Sequence, residues 1–568
     1  MTYSDLASLL LPPDAFDTST HQVMGRRVAG GSFARGLCAT LQAPETLTLF
    51  CGGETAAPAL QQLLAPVLKA GAQVRLQPTL DSAALASSGC LHLPDPGLQH
   101  WCWLRSGCSS RHFSLTGVTH TLCSHGVMQG LEQLVTAPLE PWDAVVCTSR
   151  SAQQVVQAAM ACMQERLERR FGMALPAPQG PQLPLIPLGI DPSTFDWRGR
   201  FSSRQEQRDQ ARQQLQLSRT ARVVLFLGRL SFHSKAHPLP LYRALERLSD
   251  QHEVVLLECG HIYNDTIAGA YDELARRFPQ LTVRRLGGLT PATSEEKLLA
   301  LAAADVFCSP ADNLQETFGL SVLEAMASGL PVIASDWNGY RDLVQHGHTG
   351  WLVPCRDLLK TQSKPSALDQ QFALGLKDYD STVGLHSLGV VLDHQALEVA
   401  LSDLLESPER CQAMGDAGAT RIQTLFHWDH VCRQYRDLWK ELNEIRLNSE
   451  SDDDQRCWPM ATCARLFSNH AQQEAWSGPW EISTECTDPM VLNDTMQTCF
   501  LGPIIGLDAL QKLANLLEQE QKQQSCKLLS QNRLHERYES SRIVEAQFAR
   551  STSVLEKIAV LMPPTQQK

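Results

Sequence analysis

Short apolar runs that alternate with helical patterns, twice along the chain, constrain the fold more than any other feature. The clearest run is RVVLFLG at 222–228, which is apolar on both of the faces that a strand presents. A strand of this kind belongs in a parallel sheet that is covered by helices on both sides. Because strands that alternate with helices pair in parallel, the sequence predicts an α/β fold with doubly wound sheets.

The first series of strands and helices occupies residues 1–190, a predicted Rossmann-like domain. The segment LPLIPLGIDPSTF at 183–195, rich in proline, then interrupts the pattern and is predicted to link two domains. The strands predicted before this linker lie at 8–12, 46–53, 72–78, 91–94, 117–122 and 142–149. A long helix is predicted after the last of them.

A second Rossmann-like domain is predicted over residues 191–430, and it contains the clearest strands. They are the runs at 222–228, 253–260 and 281–287, followed by VFCSP, PVIAS and GWLVP. The polar segment 355–388 does not fit the alternation and is predicted to be an insertion. Two such domains side by side create a cleft, and ligands of these sheets bind outside the carboxyl ends of the strands.

Residues 447–568 form an extension that the sequence predicts to be mostly helical. Apolar side chains recur there at helical spacing, which is typical of helix faces that pack on the body or on another subunit. They are Leu507, Leu510, Leu513 and Leu517, and Val544, Phe548, Leu555 and Ile558. No chemistry is indicated by these stripes.

Charge and composition exclude several classes of protein. The chain of 568 residues has a net charge of −12, from 49 basic and 61 acidic residues, which argues against nucleic-acid binding. No apolar run approaches the roughly 20 residues that span a bilayer, so any membrane contact is expected to be peripheral. The first residues lack the features of a signal peptide, and the scattered cysteines are expected to be free thiols. The sequence therefore predicts a cytoplasmic protein.

The loop after the run at 222–228 carries two cations, Arg229 and Lys235. Arginine offers a planar fork and lysine a point charge, so two such groups at one strand end suit a diphosphate. The alternative is that both are solvated loop residues. The spacing by itself leaves both interpretations open.

The stretch ETFGLSVLEAMASG contains two carboxylates, Glu316 and Glu324, around a predicted helix start near Thr317 or Gly319. The unpaired N–H groups of a helix start favour an anion, and Gly319 would let a ligand approach the backbone. Glu324 is expected about two turns further in, where it could accept hydrogen bonds from paired hydroxyls. Alternatively, Glu316 only favours the helix dipole and Glu324 is solvated.

Together these elements resemble the donor-binding half of retaining glycosyltransferases of family 4, which have the GT-B fold. The resemblance rests on GRLSFHSK and on ETFGLSVLEAMASGLPVIASDWNGYRDLVQHGHTGWLVP, in that order. IPLGIDPSTF is similar to the family's linker, and FHWDHVCRQYRDLW to its crossover helix, here 426–446, which packs back on the first domain. The resemblance covers roughly residues 20–355 and 390–445, and is strongest in the second domain.

The resemblance implies a role for each of these donor-side residues. Arg229 and Lys235 would hold the donor diphosphate, Glu316 would accept hydrogen bonds from the transferred sugar, and Glu324 would bind the ribose. Gly228, at the start of GRLSFHSK, would border the donor. The backbone amides that would contact sugar or phosphate are those of Phe318, Gly319 and Leu320. Members of this family generally use no metal, and no other cofactor is implied.

Two regions of the first domain are candidates for the other side of the cleft. In MGRRVAGGSFARG at 24–36, Gly30 and Gly31 would let the backbone approach donor or acceptor, although the pattern is not a dinucleotide fingerprint. The arginines of this region could meet an anionic acceptor or could be solvated; they are Arg26, Arg27 and Arg35. His120 resembles a family histidine near the reaction centre, where it would donate a hydrogen bond, and His125 is its rival.

The sequence thus predicts a retaining hexosyltransferase that moves a sugar from a nucleotide diphosphate sugar to an acceptor hydroxyl, without a metal. The acceptor is left open among carbohydrates, lipids and small molecules. One alternative is another enzyme of the same architecture, such as a sugar-nucleotide epimerase or a phosphorylase. A second alternative is a non-catalytic protein that binds sugar nucleotides or acts as a scaffold.

Overall fold

The computed structural model describes residues 5–18, 25–106, 109–196, 201–361 and 364–449, with short stretches at 466, 480–482, 528–529 and 561–562. Its internal contacts divide the chain into two compact units, Met1–Pro459 and Met460–Lys568. Met1–Pro459 contains two separate parallel sheets, each with its own helices. We call the parts built on them the first and the second domain.

The first domain is built on a sheet whose strands follow the order β3-β2-β1-β4-β5-β6, all parallel. The strands are β1 Ser8–Leu10, β2 Thr46–Phe50, β3 Gln73–Gln77, β4 Cys90–His92, β5 Ser114–Val118 and β6 Ala144–Val146. This is the strand order of a Rossmann fold. The strand predicted at 117–122 is displaced, because the buried run Ser114–Val118 forms the strand and the polar residues beyond it turn into a loop.

Helices cover both faces of the first sheet. They are α1 Pro13–Phe16, α2 Gly25–Thr40, α3 Ala57–Leu64, α4 Ser82–Ser88, α5 Leu98–Ser106, α6 His125–Gln133 and α7 Arg150–Phe171. Leu9 and Leu49 pack on one face with Leu37 of α2. Phe50 and Leu91 pack on the other face. The prediction of a doubly wound sheet is confirmed.

The second domain repeats this design with the order β12-β11-β10-β7-β8-β9, again all parallel. The strands are β7 Arg222–Arg229, β8 Val254–His261, β9 Thr282–Gly288, β10 Val306–Ser309, β11 Val332–Ser335 and β12 Gly350–Val353. Along β7, Val223 and Leu225 enter one apolar cluster, whereas Val224 and Phe226 enter the cluster on the opposite face. The apolar run that predicted a sheet buried on both sides forms such a strand.

The helices of the second domain begin where the sequence places helix-starting residues. They are α8 Arg204–Gln214, α9 Leu239–Ser249, α10 Asp265–Arg276, α11 Ser294–Ala303, α12 Leu320–Ala327 and α13 Tyr340–Leu343. Thr293 and Glu296 form the capping box that starts α11. Gly319 is the N-cap residue of α12, with a positive φ of 112°.

Between β12 and the end of the domain lies the segment predicted as an insertion. Strands β13 Cys355–Asp357 and β14 Val390–Leu392 pair antiparallel and form its base. Helices α14 Ala367–Ala373 and α15 Tyr379–Ser387 stand on this base. We call residues 364–389 the insertion lobe. The segment is thus an ordered pair of helices on a two-stranded base.

The chain returns to the first domain through its last described helices, α16 His394–Glu406, α17 Pro408–Arg421 and α18 Trp428–Asn448. A π-helical turn at Ile422–Phe426 separates α17 from α18. Trp428 Nε1 donates to Ser32 Oγ at 3.0 Å, and Trp439 Nε1 donates to Thr116 Oγ1 at 3.2 Å. Through these contacts α18 packs on the first domain.

In Met460–Lys568 the described strands form a small antiparallel sheet. They are β15 Trp480–Ile482, β16 Leu528–Leu529 and β17 Leu561–Met562, with β15 in the centre. The apolar stripes predicted at 507–517 and 544–558 lie outside the described residues. Across the part of the chain that the structure describes, no helix combines the length and the apolar character that a membrane crossing requires.

Candidate functional site

The second sheet has a switch point between β7 and β10, where the strand order reverses direction. Loops after two such neighbouring strands diverge and leave a crevice, which is the usual ligand site of this architecture. Arg229 is the last residue of β7, and Lys235 lies in the loop that follows it. Glu316 lies in the loop after β10. The residues predicted from the sequence therefore lie at the switch point.

Lys235 and Glu316 are in direct contact through Lys235 Nζ and Glu316 Oε2, and both side chains are largely buried, with 15% and 12% of their surface exposed. Tyr340 OH donates to the same carboxylate oxygen at 3.3 Å and contacts Ser309 Oγ at 2.8 Å. Burial and the nearby Glu316 carboxylate hold the pKa of Tyr340 well above its usual range. The phenol thus keeps its proton and fixes the carboxylate together with the lysine.

The position of Lys235 depends on Gly228 and Asn313. Gly228 has a φ of 150°, and a Cβ there would lie 3.2 Å from Lys235 Cε, so the aliphatic stem of the lysine packs over this glycine. Asn313 is fully buried, and its Nδ2 donates to the carbonyl oxygen of Lys235. Gly228 therefore makes room for the lysine, and its contact with a donor stays a prediction.

Arg229 lies apart from the Lys235–Glu316 contact. Its guanidinium donates to Tyr263 OH at 3.0 Å and stands 5.6 Å from the centre of the Tyr263 ring. Tyr263 follows β8, the neighbour of β7, so the arginine extends along the carboxyl edge of the sheet. The structure thus gives the two predicted cations different partners, Tyr263 for Arg229 and Glu316 for Lys235.

Glu324 is paired with Lys297 of α11, with Lys297 Nζ 2.8 Å from Glu324 Oε1. It is the fifth residue of α12, nearer the helix start than predicted, because the helix begins only after Gly319. Its side chain is 14% exposed, so the alternative of a solvated glutamate is wrong. Nothing in the spacing around Lys297 indicated this pairing.

The start of α12 is shaped by packing. A Cβ on Gly319 would clash with the ring of Tyr340, so the absence of a side chain there makes room for this ring. The N–H groups of Val322 and Leu323 both donate to Gly319 O, at 3.0 and 3.4 Å. The N–H groups of Leu320 and Ser321 therefore precede the first helical hydrogen bond, and they carry the positive end of the helix dipole.

Phe318 contributes to the core of the second domain. Its side chain is 3% exposed and meets Phe426 edge to face, with ring centroids 6.4 Å apart. The buried side chain of Phe318 leaves only its backbone for a ligand, which is compatible with the predicted contact through the backbone amide.

His120 follows β5 of the first domain and lies beside the Glu316 loop. Thr317 Oγ1 donates to His120 O, and Ser149 Oγ donates to Thr317 O at 2.8 Å. Burial and, secondarily, the charge of Arg26 lower the pKa of His120 to about 4, so its imidazole is neutral at pH 7. His125, the rival, contacts the insertion lobe instead, through Ala373 O at 3.2 Å.

The glycine-rich segment of the first domain is helical and does not form a loop at the donor site. Gly30 and Gly31 lie inside α2, where a Cβ on Gly30 would clash with Ala15 O and one on Gly31 would lie 3.4 Å from Phe16 O. Both glycines allow the close packing of α2 on α1, and Gly30 also lines a cavity together with His120. The sequence could not show this, because α1 is only four residues long.

The arginines of α2 have different surroundings. Arg26 pairs with Asp14 at 2.8 Å. Arg27 NH1 donates to Asp17 O at 3.4 Å, and Arg35 is exposed. The charge of Arg26 acts on His120, which connects this arginine with the cleft.

Two further groups near the site were not predicted from the sequence. Burial raises the pKa of Asp312, in the loop after β10, to about 7, although its Oδ2 accepts from the N–H of His237 at 3.2 Å. Tyr340 follows β11, and the rule that ligand residues follow strand ends could have indicated it. Among the residues with described positions, no three His, Cys, Asp or Glu side chains form a group that could hold a metal ion.

His120 and His92 are expected to make the protein less stable as the pH falls. Burial lowers the pKa of His92 to about 3, and that of His120 lies near 4, whereas both would be near 6.5 in the unfolded chain. The unfolded state therefore binds more protons than the folded state below pH 6.5. Each histidine then lowers the free energy of unfolding by up to about 1.4 kcal/mol per pH unit. Urea unfolding at pH 7, 6 and 5 measures this loss.

The control for this measurement is His120→Gln, because Asp312 acts with the opposite sign. A carboxyl whose pKa is raised to about 7 binds its proton more readily in the folded state, which adds stability as the pH falls through that range. Asp312 is present in both proteins, so its effect cancels when the free energy of unfolding of His120→Gln is subtracted from that of the wild type. An equal pH dependence in both proteins would contradict the assignment.

Comparisons with known proteins find a sequence match in the second domain. Residues 207–362 match the family described as "Glycosyl transferases group 1". This segment contains β7 to β12 and the second-domain residues that the sequence predicts for a donor site. It begins within α8 and ends at the base of the insertion.

The curated relatives named here match only part of the length of this chain. The "Phosphatidyl-myo-inositol mannosyltransferase" of Mycobacterium tuberculosis is 32% identical over 172 residues, which are 30% of this chain and 39% of the relative. The "D-inositol 3-phosphate glycosyltransferase" of Corynebacterium aurimucosum is 35% identical over 149 residues, 26% of this chain and 34% of the relative. The "Alpha-maltose-1-phosphate synthase" of Mycolicibacterium smegmatis is 25% identical over 351 residues, 58% and 74% of the two chains. The chain thus spans about two fifths of the mannosyltransferase.

A solved structure supports the fold. The chain resembles a glycosyltransferase from Rickettsia africae with a TM-score of 0.50 and 12% identity, over 79% of this chain and all of that one. Two Rossmann-type sheets joined by a linker and a returning helix are the GT-B fold, as the sequence predicted.

Proposed function

We propose, on the premise that residues 207–362 are a glycosyl transferases group 1 domain, that this protein is a retaining hexosyltransferase. In this proposal it moves a sugar from a nucleotide diphosphate sugar to an acceptor hydroxyl without a metal. The observation that carries the proposal is the contact of Lys235, Glu316 and Tyr340 at the switch point of the second sheet. A cation and a fixed carboxylate side by side match the phosphate and the sugar hydroxyls of one donor.

In the proposed mechanism, the protein stabilises the departing nucleoside diphosphate. Lys235 is largely buried, and a charge that is withdrawn from water interacts more strongly with the developing negative charge. The helix start at Leu320 adds its dipole, and Arg229 adds a second cation. Fixed charges and dipoles of this kind are usually the largest single contribution to catalysis.

Glu316 has a positioning role in this mechanism. Its carboxylate is held by Lys235 and Tyr340, and a sugar hydroxyl would donate to it while a phosphate oxygen takes its place at Lys235. The acceptor attacks from the side of the leaving group, and a departing phosphate oxygen takes the acceptor proton. His120, which is neutral at pH 7, donates a hydrogen bond near the sugar and is not the base.

Glu324 is proposed to bind the ribose. The carboxylate is held in place by Lys297 at 2.8 Å, which leaves its second oxygen for a ribose hydroxyl. The relatives named above suggest which acceptors to test first, since two of their names refer to inositol compounds. Inositol and inositol phosphates therefore belong in the first acceptor panel, beside sugars.

Binding of the donor is tested by thermal shift with UDP, GDP, ADP and their sugars. A ligand at 100 times its Kd adds about 2.7 kcal/mol of stability, which raises Tm measurably. We expect one nucleotide series to raise Tm, with Glu324→Gln reducing the shift. Glu316→Gln should leave binding of the bare nucleotide intact and abolish transfer. No shift with any nucleotide would contradict the proposal.

The alternatives predict different products. A transferase releases nucleoside diphosphate in proportion to the acceptor supplied, whereas an epimerase releases none and a phosphorylase requires phosphate. A non-catalytic binding protein would bind the nucleotide without turnover. Addition of EDTA should leave the rate of sugar transfer unchanged. A loss of transfer activity in EDTA would refute the part of the proposal that excludes a metal.

A further inference from the structure

The insertion lobe contacts the second domain beside the candidate donor site. His233 lies between Arg229 and Lys235 in the loop after β7, and its Nε2 is 3.8 Å from Asp380 Oδ1 of the lobe. A Cβ on Gly384 of α15 would lie 2.8 Å from His233 Cβ, so the helix rests directly on this residue. The lobe is therefore seated on the loop that carries the two donor cations.

The same lobe also contacts the first domain. Cys123 Sγ lies 3.3 Å from Tyr379 OH at the start of α15. His125 Nε2 lies 3.2 Å from Ala373 O at the end of α14, and the His125 ring meets the Phe372 ring edge to face at 5.7 Å. Cys123 and His125 belong to the loop and helix start that follow His120. The lobe thus bridges the loop after β5 and the loop after β7.

Tyr379 forms the contact of the lobe with Cys123. Burial raises the pKa of the Tyr379 phenol and that of the Cys123 thiol, and the positive charge of Arg229 acts against both rises. Residues of the lobe, of the first domain and of the second domain therefore interact at this contact.

We propose that the insertion lobe is a third wall of the cleft and that Tyr379 on it limits which acceptors reach the donor sugar. The inference rests on the proposed function. The residues proposed to hold the diphosphate and the ribose of the donor belong to the second domain. In this proposal the acceptor enters from the first-domain side, past the loop that follows β5. The lobe covers this loop at Cys123 and His125, and it thereby restricts the size of an acceptor that passes them.

The base of the lobe allows its removal without disturbing the sheet. Asp357 of β13 is paired with Val390 of β14 in an antiparallel register. A two-residue Asn-Gly connection is the favoured link between two such strands. Replacing residues 358–389 by Asn-Gly should therefore leave the second domain folded, which circular dichroism and the Tm shift with nucleotide diphosphate verify.

We expect this deletion variant to bind nucleotide diphosphate as the wild type does and to differ in acceptors. Transfer to alkyl glycosides of increasing chain length should rise at least tenfold relative to transfer to monosaccharides and inositol. Hydrolysis of the donor by water should rise several-fold, because the cleft is more open. Tyr379→Ala should give a smaller change in the same direction, and Tyr379→Phe should resemble the wild type in acceptor size.

The matched control is Leu376→Ala, a change on the lobe at a side chain that is 73% exposed. Its acceptor profile should equal that of the wild type. An unchanged ratio of large to small acceptors in the deletion variant would overturn the proposal. If the deletion variant does not fold, the ratio of transfer to large and to small acceptors is measured in Tyr379→Ala instead. An unchanged ratio there would overturn the proposal.

The proposed function and the bridging role can fail separately. If the wild type binds no nucleotide, the proposed function fails, and hydrogen exchange then decides whether the lobe bridges the domains. Amides at 119–131 should exchange faster in the deletion variant than in Leu376→Ala, because the contacts of Cys123 and His125 are lost. Equal exchange in both variants would overturn the bridging role.

Discussion

Replacing Lys235 by alanine is expected to lower kcat/KM for sugar transfer by about 100- to 1000-fold, the usual effect of removing one group that stabilises a developing anion. The lysine is largely buried at the switch point and contacts Glu316 directly, so its loss also leaves this carboxylate without its cation. Most of the effect should fall on kcat, since the charge on the diphosphate increases as the bond to the sugar breaks. Steady-state kinetics with the donor found by thermal shift measures both constants.

The matched control is Lys69→Ala, which removes the same charge from an exposed position of the first domain. Its kinetics should equal those of the wild type, because water screens an exposed charge. Transfer by Lys235→Ala within threefold of the wild-type rate would show that the lysine does not stabilise the leaving group. The Tm of each variant separates an effect on catalysis from an effect on folding.

Asp143→Ala is expected to destabilise the first domain by about 3–5 kcal/mol, the cost of leaving a buried charge without its partner. Arg105 and Asp143 form two parallel hydrogen bonds of 2.6 and 2.7 Å, and their side chains are 1% and 0% exposed. Asp143 Oδ1 also accepts from the N–H of Leu115 at 2.8 Å, which ties β5 to this pair. Chemical denaturation monitored by circular dichroism measures the loss.

The chain supplies a control with similar geometry at the surface. Arg166 and Glu132 also form two hydrogen bonds, both of 3.0 Å, but their side chains are 60% and 28% exposed. Glu132→Ala should cost no more than about 1 kcal/mol, as is usual for exposed ion pairs. Equal losses in Asp143→Ala and Glu132→Ala would mean that burial does not decide the energy of these pairs.

Much of the fold could be predicted because it depends on local pattern. The apolar run of β7 is a property of a short segment, and it forms a strand in the structure as predicted. The packing role of the glycines in α2 could not be predicted, because their partner is α1, a helix of four residues that has too little periodicity to be recognised.

The candidate site was predictable in part for a related reason. Parallel strands bring their carboxyl ends to one edge, so residues that follow β7 and β10 had to come together, and Lys235 and Glu316 do so. The partners of other residues were not predictable. Lys297 reaches Glu324 from a neighbouring helix, and Tyr340 fills the space beside Gly319. Such pairings depend on how helices pack, so they cannot be predicted from the spacing of residues along the sequence.

The sequence by itself determined the two doubly wound sheets and the place of Arg229, Lys235 and Glu316 at strand ends, because hydrophobic period and strand direction are encoded locally. Only the tertiary structure decided what each side chain touches. The clearest case is the insertion lobe, where Cys123 and Tyr379 meet although they lie 256 residues apart. Contacts over such separations arise from the docking of whole domains, which depends on shape and packing at every surface involved.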